Sequence, residues 1–210
     1  MLHFYGWATP NSQRVSIMLE ECGLDYAVTP VNIRARQQFA PEILALNPYG
    51  KIPILVEDGQ VLFESGAILL HLAERHGVLL GEDRPTMLAW LMVALTSLGP
   101  MTGQAHHWTE LAPEKPPAAA AHTKGLVARV YALLESRLAD VPYLAGAVPS
   151  IADIAAYPWV ARTHWAEREL GETPALADWF ARIGARPAVQ RGMQVPQGAR
   201  LEGPIAAIGA

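Results

Sequence analysis

Cysteine is nearly absent from this 210-residue chain: Cys22 is the only one, which excludes an internal disulfide and any all-cysteine metal site. Sulfur redox chemistry would have to draw its thiols largely from another molecule. Charge is sparse as well. Charged residues make up 17% of the chain and the net charge is -4, so there is no basic footprint of the kind that neutralises phosphates. A small ligand is expected, not nucleic acid. No apolar run approaches the roughly 20 residues that span a bilayer. The opening Met-Leu-His-Phe-Tyr-Gly-Trp lacks the basic region and long apolar stretch of a signal peptide. The expectation is a cytoplasmic protein with no membrane partner.

What the chain has is apolar content, 51%, enough for one large core or two modest ones. Its first part alternates element types. Leu2 to Tyr5 reads as a strand. After Thr9-Pro10-Asn11-Ser12, the residues Val15, Met18, Leu19 and Cys22 recur at helical spacing until Gly23. Tyr26 to Ile33 is a second strand candidate, and Pro41 to Leu46 a short helix ended by the breaker Asn47-Pro48-Tyr49-Gly50. Ile52 to Val56 and Val61 to Phe63 flank Glu57-Asp58-Gly59-Gln60, which is hairpin chemistry, and Ser65 then opens an apolar helix ending near Gly77. The order is βαβ followed by ββα.

Beyond a linker at 78 to 84 the pattern is helical only, giving an expected division into residues 1–80 and an all-helical domain at 84–210. Helices are predicted over Pro85 to His107, His122 to Leu138, Ile151 to about Trp165 and Pro174 to Gly184, with an irregular tail from Gln194. The first of these carries more apolar surface than one face needs, so it is either central or partly at a subunit contact. Gly99-Pro100 should kink it. Ser150-Ile151-Ala152-Asp153 resembles a capping box, with Val148 as an apolar staple, and its expected role is in folding.

Several groups are candidates for chemistry. Pro53 stands inside an apolar strand pattern, where a proline is excluded from a central ladder unless the edge is left open. A cis Ile52-Pro53 bond would present the Ile52 backbone to an extended peptide; the alternative is an ordinary edge or turn proline. Glu64-Ser65-Gly66 lies between a strand and a helix, where first-turn N–H groups and the Ser65 hydroxyl suit a carboxylate and Glu64 suits an ammonium. A plain helix cap is the alternative. Thr9 and Asn11 set a hydroxyl, an amide and a helix N-terminus at the end of the first strand, an environment that lowers a thiol pKa from about 8.5 to about 7 or below. Simple capping again competes, and Tyr5 is a rival thiolate partner. Cys22 lies about 16 Å along its helix from that end, too far to be a nucleophile, and reads as core. His106-His107-Trp108 lacks ligand spacing, so no metal is expected.

Thr9-Pro10-Asn11, Asn47-Pro48-Tyr49-Gly50-Lys51-Ile52-Pro53, Phe63-Glu64-Ser65-Gly66-Ala67-Ile68 and Ser150-Ile151-Ala152-Asp153 occur in the order and spacing seen in soluble glutathione transferases. Within that superfamily the chain is most similar to the bacterial nu class, whose Thr-Pro-Asn opening, Glu-Ser-Gly-Ala-Ile-Leu helix start and Gly-Pro-Met run (Gly99-Pro100-Met101) are matched. The resemblance implies an N-terminal thioredoxin-like α/β domain followed by an all-α domain, glutathione as co-substrate, and a homodimer. It implies that Thr9 and Asn11 approach the sulfur, that the Ile52 backbone beside Pro53 pairs with the cysteinyl unit, and that Glu64 and Ser65 hold the γ-glutamyl end. Gln38 and Lys51 are implied at the glycyl end, and Arg129 at the neighbouring subunit's ligand. Ser12 departs from the usual glycine and Tyr49 from the common asparagine. The class resembles disulfide reductases more than conjugating enzymes. The implied activity is disulfide reduction by glutathione; conjugation of glutathione to an electrophile and a non-catalytic binding module are the alternatives.

Overall fold

The computed structural model describes residues 1–199, and the last part of the predicted irregular tail lies outside the described residues. Two compact units are present: Met1–His76 together with the segment from Pro187, and Gly77–Arg186.

In the first unit, strands β1 (Leu2–Gly6), β2 (Tyr26–Pro30), β3 (Ile54–Glu57) and β4 (Gln60–Phe63) form one sheet in the order β2-β1-β3-β4. β1 pairs with β2 in parallel and with β3 antiparallel, and β3 pairs antiparallel with β4. Helices α1 (Pro10–Glu21), α2 (Pro41–Leu46) and α3 (Ser65–His76) connect them. This is the βαβ-ββα thioredoxin-like arrangement expected from the sequence. Strand alternation divides the core. Tyr5 and Ile54, directly opposite one another, pack with Val31 and with Ile43 of α2, while Phe4 and Leu55 face the other way and are fully buried. α1 and α3 pack against each other.

Two strands are shorter than expected, each for a local reason. β2 stops at Pro30 because Asn32 caps a 3₁₀ turn, Ile33–Ala35, accepting from the N–H groups of Arg34 and Ala35. β3 begins at Ile54 because Pro53 has no N–H to give the ladder.

A helix absent from the sequence reading, α9 (Pro187–Gly192), packs on α1. Ser16 Oγ donates to the Gly192 carbonyl at 2.7 Å, Gln13 Nε2 to the Met193 carbonyl at 2.9 Å, and Arg191 Nε to Glu20 at 2.6 Å. Contact is so close that a Cβ on Gly192 would stand 2.5 Å from Ile17 Cα and 2.6 Å from Ile17 N.

The second unit is helical: α4 (Arg84–Val93), α5 (Gly99–His106), α6 (Pro117–Asp140), α7 (Ile151–Val160) and α8 (Pro174–Gly184). Arg84–Leu111 is one helical stretch of 28 residues. The disturbance expected at Gly99-Pro100 takes the form of a π-helical turn, Ala94–Leu98, in which the Gly99 N–H donates to the carbonyl of Ala94. Widening the turn gives room for a proline ring that would otherwise meet the preceding carbonyl. By length and composition this helix is apolar enough to cross a membrane, a test that a core helix of a soluble protein passes equally; 33% of its apolar window is buried.

The capping box at α7 is present with Asp153 in the glutamate position. Asp153 is fully buried and accepts four hydrogen bonds, from Ser150 N, Ser150 Oγ, Leu144 N and Trp179 Nε1, at 2.8 to 3.1 Å. Burial pushes its carboxyl above the usual range while these donors pull the other way. Its work is to join α7, α8 and the preceding loop, as expected. Val148, the expected staple, is exposed.

The Gly192–Ile17 contact leads to a prediction. Gly192→Ala should destabilise the protein by about 1–3 kcal/mol through overpacking against backbone that cannot move aside, seen as a lowered urea midpoint; an unchanged midpoint would mean that α9 docks loosely.

Candidate functional site

The strand register builds the site. Tyr5 lies opposite Ile54 and Ile54 opposite Phe63, so β1, β3 and β4 share one row at one end of the sheet. Past that row the chain leaves β1 through Gly6–Thr9, enters β3 through Ile52–Pro53 and leaves β4 at Glu64. Helices α1 and α3 begin at the same end, so Thr9, Asn11, Ile52, Pro53, Glu64 and Ser65 are gathered there. The Ile52-Pro53 peptide is cis, and Ile52 precedes the first paired residue of β3, which leaves its backbone outside the ladder.

Thr9 is the N-cap of α1. Its Oγ1 accepts from Ser12 N at 3.2 Å and its hydroxyl lies 3.0 Å from that of Ser12, which accepts in turn from Trp7 N at 3.3 Å. The capping reading therefore holds for Thr9, and Ser12, fully buried, ties the hydroxyl to the strand end. Asn11, the second residue of α1, is partly exposed.

Beneath Asn11 lies Arg14, 2% exposed. Its Nη1 donates to Asn11 Oδ1 at 2.8 Å and to Ser65 Oγ at 3.3 Å. Burial lowers the guanidinium to about 9 while the Glu64 carboxylate pulls it back up, so it is cationic at neutral pH. The N-termini of α1 and α3 thus share one buried cation.

Glu64 is exposed and holds φ at 70°, the left-handed region that a non-glycine residue enters at a cost of roughly 1–2 kcal/mol. Its carbonyl accepts from Ile68 N at 3.0 Å, so Glu64 is the backbone cap of α3 and buried Ser65 its first residue. Strain of this kind clusters at functional sites.

The loop before β3 is organised by Asn47, 1% exposed. Its Nδ2 donates to the Lys51 carbonyl at 2.8 Å and its Oδ1 accepts from Tyr49 N at 3.1 Å. Gly50, at φ 63°, has room for no side chain because a Cβ would meet the Phe39 ring at 2.8 Å. Lys51 Nζ donates to the Tyr49 hydroxyl at 3.0 Å and lies 4.2 Å from its ring centroid, so the tyrosine that replaces the common asparagine supplies the lysine with a partner. Gln38 sits on a short 3₁₀ turn, with its Oε1 buried and unpartnered among the described residues. Arg129 is exposed on α6, in the second unit.

Tyr5 stacks on His3, centroids 4.4 Å apart, and packs on the Val31–Ile43–Ile54 core. Cys22 is half-buried at the C-cap of α1, its thiol pushed up to about 11 by burial and by Glu21, so it is protonated at neutral pH. His106 stacks on Trp165 at 4.1 Å, and among the described residues no three His, Cys, Asp or Glu side chains stand together to hold a metal.

Sequence reasoning missed Arg14, Ser12 and Asn47. Arg14 had a signal: it shares the buried stripe of α1 with Ile17 and Met18, where a charge is rare unless paired.

Comparison with known proteins matches two family profiles, "Glutathione S-transferase, N-terminal domain" over residues 8–75 and "Glutathione S-transferase, C-terminal domain" over residues 117–182. The chain is 39% identical to the disulfide-bond oxidoreductase YfcG of Escherichia coli (strain K12), over 90% of this chain and 92% of that one. Among solved structures it is similar to a Burkholderia graminis glutathione transferase with two glutathione molecules bound per subunit. The identity is 34% and the TM-score 0.86, covering 94% of this chain and 89% of that one. A Pseudomonas putida glutathione transferase with one glutathione disulfide bound per subunit gives 35% and 0.85, covering 93% and 91%.

The Asn47 hydrogen bonds predict that Asn47→Ala will lower stability by about 1–3 kcal/mol by leaving the Lys51 carbonyl and the Tyr49 N–H without their partner and a gap in place of a buried side chain. It should also speed proteolytic cleavage within residues 47–53; cleavage at the wild-type rate would show the loop to be held by other contacts.

Proposed function

Because the chain belongs to the glutathione S-transferase family, we propose that it is an enzyme that reduces disulfide bonds at the expense of glutathione. The observation that carries this reading is the contrast between the two places where a thiolate could form. Cys22 is protonated and lies at the far end of α1, whereas the start of α1 offers the Asn11 amide and helix N–H groups over a buried cation. The reactive sulfur is therefore the ligand's.

In this reading the γ-glutamyl end of glutathione is held by Ser65, the first-turn N–H groups of α3 and the Glu64 carboxylate, which pairs with the ammonium. The cysteinyl unit pairs with the Ile52 backbone beside Pro53, and Gln38 and Lys51 face the glycyl end. Asn11 donates to the sulfur. Thr9 contributes through the helix start that it caps, its hydroxyl being engaged with Ser12. The glutathione thiolate attacks one sulfur of a small disulfide, giving a mixed disulfide and a released thiolate. A second glutathione thiolate attacks the glutathione sulfur of that mixed disulfide, giving glutathione disulfide and the second free thiol. The Burkholderia and Pseudomonas relatives, with two glutathiones and one glutathione disulfide bound, support a site with room for both molecules.

Glutathione binding is assigned to the first unit and the second substrate to the helices of the second. The protein is assigned to the cytoplasm, where glutathione is abundant and Cys22 stays reduced. A homodimer accounts for the apolar surface of the 28-residue helix that the chain leaves unburied, Met92 included, with Arg129 reaching the neighbouring subunit's ligand.

Steady-state turnover with a small model disulfide, set beside turnover with an aryl halide electrophile, tests the reading. Asn11→Ala should lower disulfide turnover by about tenfold or more, as expected for one lost unit of thiol acidity. Turnover of the halide alone would make the protein a conjugating transferase; silence on both, with glutathione still bound, would make it a binding module. Sizing at micromolar concentration should return about twice the chain mass, and a clean monomer would exclude the dimer.

A further inference from the structure

The buried guanidinium of Arg14 has no part in binding glutathione as described above, yet it touches both halves of the site. Arginine carries donors only, so the atom of Asn11 that it meets at 2.8 Å must be the carbonyl oxygen. A carboxamide carries its acceptor oxygen and its donor amino group in one plane, pointing in different directions. With the acceptor end turned down onto Arg14, the donor end is turned the other way, and a donor is what an anionic sulfur requires. Without an obligate donor beneath it, nothing at that contact requires the oxygen to point down, and the amide turned half round presents its oxygen to the sulfur, a repulsive arrangement for a thiolate. The second bond, to Ser65 Oγ at 3.3 Å, spans 51 residues of sequence and couples the start of α1 to the start of α3.

We infer that Arg14 is a positioning residue: it orients the Asn11 amide so that its amino group faces the glutathione sulfur, and it sets the spacing between the sulfur end and the γ-glutamyl end of the site. The inference rests on the proposed role of Asn11 as donor to the thiolate. Arg14 does not touch the substrate, and its effect on sulfur acidity is exerted through Asn11.

The test is a pH titration of the ultraviolet thiolate band of enzyme-bound glutathione, with the pH profile of kcat/KM for a model disulfide. Arg14→Met should raise the bound thiol's pKa by about one unit, an approximately tenfold loss of thiolate below it. Arg14→Lys keeps an obligate donor and should restore most of the acidity. If Arg14→Met does not fold, Arg14→Gln replaces it, since glutamine can accept as well as donate and releases the amide to rotate. In an Asn11→Ala background either substitution should leave the thiol pKa where Asn11→Ala alone put it. A shift of the same size in that background would mean that the Arg14 charge acts on the sulfur directly, and would overturn the inference. So would a folded Arg14→Met or Arg14→Gln variant with wild-type thiol acidity, provided that Asn11→Ala shifts it. If Asn11→Ala itself shifts nothing while glutathione binds, the role of Asn11 fails first and takes this inference with it.

Discussion

The pairing of β3 with both its neighbours is the constraint on which the rest depends. Tyr5, Ile54 and Phe63 stand in one row, and every group assigned to glutathione in the first unit is reached from the sheet end that this row defines, directly or through the loop before β3. A slip of one residue would turn Ile54 away from Val31 and Ile43 and move Leu55 into its place. Register is thus fixed by the core, and the site inherits its geometry from a hydrophobic decision made some residues away. Two devices then spend that stability locally: Glu64 in a left-handed conformation and an arginine taken out of water.

Elements whose ends carry punctuation were legible in the sequence. α2 and α8 start and stop where the reading put them, because a proline opens each and an Asn-Pro-Tyr-Gly breaker or a glycine closes it. The site was legible in the same way, since Thr9-Pro10-Asn11, Ile52-Pro53 and Glu64-Ser65-Gly66 each sit at an element boundary. Features that depend on distant partners were not. Arg14 reads as one more polar residue near a helix start until Ser65 is brought to it. Asn47 reads as part of a breaker until its two loop bonds are seen. α9 has six residues, too few to show a period, and it is helical because α1 offers it donors and a groove at Ile17.

Membership of the glutathione S-transferase family sets the kind of ligand, while this chain's own residues set the chemistry. In the proposed site the sulfur environment is made without a cysteine of the protein, from the Asn11 amide, the start of α1 and the Arg14 cation beneath the amide. Ser12 and Tyr49, the two departures from the resembled pattern, both acquire partners: Ser12 links Thr9 to Trp7, and Tyr49 steadies Lys51.

The docking of α9 on α1 has a consequence for the order in which the molecule is made. α1 carries the Thr9–Asn11 start of the site at one end and receives the last described helix along its side, through Ser16, Gln13 and Glu20. During synthesis α1 leaves the ribosome well before α9, and the surface that Gly192 covers stays bare until residues 187–192 have been translated. The first unit is therefore begun before the second and completed after it, and a chain cut short before Pro187 would leave Ile17, fully buried in this structure, exposed in the very helix that bears the candidate site.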